Sequence, residues 1–173
     1  SLAGGVLSIG GTAFNSTDRA IALGNAGGGI EVVDAANTFT VDDNLTGSGA
    51  FTKQGAGTLV LTGTNSYTGG TSVAGGTLAG NTNSLKAAIG TQTGTTVRFV
   101  QAQDGQFAGT LSGAGGVRKD GLGTLQLTGN QPISGGVDLR EGSLLLGDGT
   151  TGATLGSTVT IAAGAVLLGG GSV

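Results

Sequence analysis

The chain contains no histidine and no cysteine, which closes it to Ser-His-Asp and Cys-His catalysis and to the usual zinc sites. Acid–base chemistry would fall to carboxylates, and the densest set is Asp42 and Asp43 with Asp34 one short strand away. Carboxylates converging on one exposed face could serve hydrolysis or elimination on a polysaccharide. The same three residues have a plainer reading. Asp42, Asp43 and Asn44 form a polar turn between strands, and this reading is favoured. Nothing matches a repeated Gly- and Asp-rich calcium motif or an EF-hand loop, and Asp148 with Gly149 reads as a turn. No catalytic residue, metal or cofactor is expected.

Lys53 and Lys119 occupy matching places in two similar stretches. They read either as ligand contacts or as solvated edge residues that discourage wrong strand pairing, the second being favoured. Tyr67 is the only tyrosine; beside Asn65 it could stack on a sugar ring, but packing in a turn is the preferred role. Asn65 is expected to cap or bridge turn backbone through its amide, a role that Gln131 would share less well.

The elements that position these residues show in the composition. Glycine supplies 39 of 173 residues and proline one, yet no Gly-X-Y period exists and 37% of residues are hydrophobic. Only 3% are aromatic, so the core is built from Leu, Val, Ile and Ala in a single domain spanning 1–173. Charge is sparse, with seven scattered Lys and Arg and a net of −3. That leaves no footprint for nucleic acid or an anionic membrane. No apolar run reaches the roughly 20 residues of a spanning helix, and no signal peptide is visible. Without methionine, Ser1 is not a retained start, and the chain reads as a piece of something longer. The lack of cysteine suits export.

Short runs with period-2 alternation occur at 6–9, 20–23, 30–33, 38–41, 58–62, 71–73, 96–101, 124–128, 143–146, 158–161 and 165–168, each of strand length. Glycine clusters punctuate them. The one stretch with a helical look, 83–88, is too short to count. Residues 45–78 and 111–144 match at 15 of 34 positions, an offset of 66 residues. Such a repeat favours a solenoid over a sandwich or barrel. Taken as three coils of about 22 residues, it predicts about eight coils in all. Leu59 and Leu61, with Leu125 and Leu127, are expected to face inward. Deleting Leu59 or Leu125 should cost about 2–5 kcal/mol.

The first copy is carried by Gly55, Gly57, Thr58, Leu59, Leu61 and Thr62, then by Gly63, Asn65, Tyr67, Gly69, Gly70 and Thr71, and finally by Val73, Gly76 and Leu78. The second keeps Gly121, Gly123, Leu125, Leu127 and Gly129, followed by Gly135, Gly136, Gly142 and Leu144. This spelling resembles the passenger-associated transport repeat of autotransporter proteins. Lead-ins ending at Lys53 and Lys119 extend the resemblance over most of 5–146, and 155–168 looks like a further coil. The second copy departs from the pattern with Gln131, Pro132 and Ile133, and with Asp138, Arg140 and Glu141 adding charge. A proline in a turn that has no ladder N–H to lose is tolerable there.

The resemblance implies an all-β, right-handed parallel β-helix in the secreted passenger of a Gram-negative type V system. A C-terminal β-barrel translocator would be its partner, and the outer-membrane surface its location. In that family such repeats tend to lie towards the barrel, where folding outside the cell is thought to help draw the chain through. The expected function is a rigid stalk and folding aid in an adhesin, with host-cell, matrix or self association as further partners and no enzymatic role. Two alternatives stand beside it: a carbohydrate-active β-helix acting through Asp34, Asp42 and Asp43, and a subunit that stacks end to end into a fibre.

Overall fold

In the computed structural model, residues 1–148 and 152–169 are described. Every strand pairing among them is parallel, and each joins one coil to the next. The expected strands all form. The 83–88 stretch is a turn instead, where the Asn81 side chain accepts the Asn83 and Ser84 amides at 2.8 and 3.1 Å. No helix occurs among the described residues.

The chain cycles over three faces. The first holds six strands: Val6–Ile9, Gly28–Val32, Phe51–Gln54, Thr71–Val73, Ile89–Thr91 and Leu111–Gly113. A bridge from Gly113 to Ile133 continues it. The second face is an eight-stranded sheet running from Ser16–Thr17 through Thr38–Val41, Thr58–Leu61, Thr77–Gly80, Thr96–Val100, Gly116–Asp120 and Val137–Leu139 to Val159–Ile161. One strand per circuit makes eight coils, as the sequence predicts. The third face is less regular: Ile21–Leu23 pairs with Leu45–Gly47, and Gly105–Phe107, Thr124–Leu127, Ser143–Leu146 and Val166–Gly169 form the later sheet.

Alternation sends one set of side chains inward, and in-register stacking turns that set into columns. Phe39, Leu59, Leu78, Val97, Val117 and Val137 are successive partners on the second face, none more than 3% exposed. Leu61, Leu125 and Leu127 are buried as well. Burial of such columns is the main favourable term for a chain with this much glycine.

Between the two repeats the coils are shorter than the sequence suggests. Phe51 pairs with Thr71 and Val97 with Val117, both steps of 20 residues. The 66-residue offset is therefore three coils and one further face, not three coils of 22. Lys53 lies on the first face and Lys119 on the second; Leu59 lies on the second and Leu125 on the third. Each repeat copy reappears rotated by one face.

Candidate functional site

The corner after each repeat lysine is where the coils are tied. Gly55 adopts φ +77°, and a Cβ there would lie 2.2 Å from the Val32 carbonyl oxygen. Gly76, at φ +58°, stands in the same way over Gly57. Only glycine lets successive corners approach so closely. The approach directs several carbonyls into one small space.

Lys53 fills that space. It stands in the inward column between Ile30 and Val73, fully buried. Its Nζ donates to the carbonyls of Gln54, Gly55 and Gly75, each at 2.9 Å. Two of these belong to its own corner and the third to the next coil, so the ammonium staples one coil to another. Burial pushes its pKa down from 10.5 to about 8, and the charge of Glu31 opposes that shift.

Lys119 repeats the arrangement one face further round. It lies between Phe99 and Leu139 in an inward column and is fully buried. Its Nζ donates to the carbonyls of Asp120 at 3.2 Å, Gly121 at 2.6 Å and Glu141 at 3.0 Å. The Glu141 carboxylate adds a tie by accepting the Gly121 amide at 2.9 Å. Burial lowers the pKa of Lys119, against the charges of Asp120, Glu141 and Asp104. The expectation of solvated edge lysines is therefore wrong for both. Three carbonyl acceptors are what let a cation sit in an aliphatic column.

A second tie is made by amides. Asn65 is 2% exposed; its Oδ1 accepts the Leu45 amide and its Nδ2 donates to the Ser84 carbonyl, both at 2.7 Å. It thereby joins the coil before to the coil after. Gln131 accepts the equivalent Leu111 amide at 2.6 Å, but donates to Thr128 and Gly109 rather than to the following coil. Pro132 replaces Ser66, whose amide donates to the Leu45 carbonyl at 2.9 Å. The proline thus gives up an inter-coil bond, contrary to the expectation that none was there to lose.

Tyr67 is buried, its hydroxyl 2.6 Å from Thr71 Oγ1 and its ring 5.9 Å from that of Phe51. It packs inside the coil, out of reach of any sugar. Ile133, fully buried, fills the same place in the second copy.

The three carboxylates do not converge. Asp34 and the Asp42 and Asp43 pair flank opposite ends of Thr38–Val41, at least roughly 10 Å of strand apart. Asp34 accepts the Ala36 amide at 2.9 Å and Asp43 the Asn44 amide at 2.7 Å, the geometry of polar turns. Asp42 accepts the Thr62 hydroxyl at 3.3 Å. Among the described residues no three carboxylates gather where a metal ion could sit.

A family profile for the passenger-associated transport repeat matches residues 51–79 and 117–146. Both matches begin inside the segments read from the sequence, and each takes in a lysine staple and the glycine corner above it. No curated protein and no solved structure gives a significant match. The chain is thus a parallel β-solenoid of eight coils carrying two passenger-associated transport repeats, consistent with an autotransporter passenger domain.

Proposed function

We propose that this segment is a stalk of an extracellular passenger and that its two repeats are the places where coils lock during folding outside the cell. The observation carrying this reading is that each matched repeat contains a fully buried lysine bonded to carbonyls of two successive coils. Such a bond exists only once the next coil has arrived, so each repeat favours addition of a coil over retreat. In a solenoid, where each unit contacts only its neighbours, that local gain propagates along the rod.

The work is mechanical and needs no reacting group, so the segment acts as scaffold and not as an enzyme. Passenger repeats imply a translocator domain in the full protein, a C-terminal β-barrel that holds the passenger at the outer membrane. No helix among the described residues is long and apolar enough to cross a membrane. Adhesion is the role such a displayed rod would serve.

Surface display of the full-length protein tests the reading. The pair Leu59→Asp with Leu125→Asp puts charge into two buried columns and is expected to abolish display. Leu122→Asp, at a side chain 84% exposed, should leave it intact. Normal display of the double variant would refute a folding role for the repeats.

A further inference from the structure

We propose that the second face carries a groove for an acidic polysaccharide, with Arg98, Arg118 and Arg140 receiving its acid groups over a floor opened by Gly116. The groove measures about 540 Å³ and follows the coils containing Thr96, Gly116, Val137 and Thr158. The inference rests on the display reading only in that this face must meet a glycan outside the cell.

Charge is the first observation. Of the seven Lys and Arg, Lys53 and Lys119 are buried. Three of the remaining five line this one groove, where Asp138 is the only carboxylate among the described lining residues. In a chain of net charge −3, the three arginines exceed the two carboxylates that hold them, Asp120 and Asp138, by one charge. Arg98 and Arg118 are cross-strand partners on adjacent coils, a like-charged pair that is unfavourable alone. Asp120 bridges them, bonding Arg98 Nε at 2.5 Å and Arg118 Nε at 2.8 Å. Asp138 holds Arg140 by Nε at 2.7 Å. Each guanidinium is fixed through Nε, and its terminal nitrogens make no bond to the described residues. Such forks are set to grip carboxylate or sulfate.

Gly116 is the second observation. Thr38, Thr58, Thr77 and Thr96 stack in register on this face, and Gly116 is the next member of the column. At most corners glycine is required by positive φ or by backbone contact. Gly116 has neither: a Cβ there would meet nothing nearer than the Gly135 carbonyl oxygen at 3.5 Å, an ordinary contact. A Cβ is accommodated, and threonine is the better strand residue. What the glycine does is clear space beside the row formed by Arg98 and Arg118.

The lining selects the occupant. Threonine hydroxyls and the Asp138 carboxylate match sugar hydroxyls, and no aromatic side chain offers the stacking platform that single-stranded nucleic acid needs. Both neighbours of each central strand are already paired, so a peptide finds no open edge for strand addition.

The test is calorimetric titration of the purified chain with decameric galacturonate, with heparin fragments and with a neutral galactan of equal length, at low and physiological salt. Galacturonate or heparin should bind, more weakly as salt rises, and which of them binds tells carboxylate from sulfate as the preferred acid. Arg140→Gln and Gly116→Thr should each weaken binding about tenfold or more, while unfolding curves show both variants as stable as the parent. Failure of both acidic glycans to bind, equal binding of the neutral galactan, equal binding of polyglutamate, or unchanged affinity in both variants would overturn the proposal. Export is not involved in this measurement, so its failure leaves the display reading standing, and loss of that reading leaves the measured binding unaffected.

Discussion

Replacing Lys53 with methionine keeps an unbranched apolar stem and removes only the ammonium. Three buried carbonyls then lose their donor, at about 1–3 kcal/mol each. Against that, methionine avoids the cost of the buried charge. A pKa lowered from 10.5 to about 8 corresponds to about 3 kcal/mol at neutral pH. Taking each carbonyl near the middle of its range leaves Lys53→Met less stable by about 3 kcal/mol at pH 7.

The pH dependence has a definite sign. The folded pKa lies below the unfolded one, so between pH 8 and 10.5 the unfolded chain binds more protons and stability rises with pH. The methionine variant lacks this gain. Its deficit should widen from about 3 to about 6 kcal/mol across that window, with the titrations of other groups cancelling in the difference. Urea unfolding followed by far-ultraviolet circular dichroism at pH 7, 9 and 10.5 measures it. A variant as stable as the parent, or a deficit that narrows as pH rises, would refute the stapling argument.

Asn65→Ala removes both an acceptor for the Leu45 amide and a donor to the Ser84 carbonyl, so a loss of about 2–4 kcal/mol is expected in the same urea assay. In Asp120, burial raises the carboxyl pKa, but hydrogen bonds from Arg98 and Arg118 outweigh it and the net shift is downward. Its contribution is therefore present above pH 3.8 and lost as pH falls through the lowered folded value; Asp120→Asn should flatten that part of the acid unfolding curve. Pro132→Ser restores an amide at the place where Ser66 donates between coils. Hydrogen exchange at residue 132 of that variant should be slowed to the level of Ser66, and a freely exchanging amide would show that the second copy is built differently there.

Alternation and glycine punctuation made the strands legible, because strand residues must choose a side and corners must turn tightly. The inward leucines followed from the same parity. The lysines obeyed it too: Lys53 shares a side with Phe51, and Lys119 with Val117. Their burial is not legible in the sequence because charge ordinarily marks exposure, and the three carbonyls that hold each ammonium are brought together only by the stacked corners. Coil length was hidden for another reason. Register steps run from 18 residues, between Thr71 and Ile89, to 24, between Ser16 and Thr40. Corners of unequal length make any single offset a poor ruler for a circuit.

The rotation between the two repeats bears on what they do. A motif that bound a ligand on the outside would need its copies aligned on one face, at whole numbers of coils, so that outward side chains formed one stripe. These copies are separated by three coils and one face, so Thr58 and Thr124, alike in the repeat, lie on different sides of the rod. The inside corner alone is the same in both, with glycines over a buried lysine and an amide reaching back one coil. The repeat therefore preserves a way of fastening coils, and external chemistry is free to sit elsewhere, as the arginine groove does. Inserting a third 66-residue copy between the two should then extend the rod and keep its core. It should also turn everything downstream by a third of a circuit, so that the angle between tags attached at exposed sites before and after the insert changes by about 120°, returning to the original only after three inserts. An unchanged angle after one insert would mean that the copies stack face on face, and the argument for an internal role would fail with it.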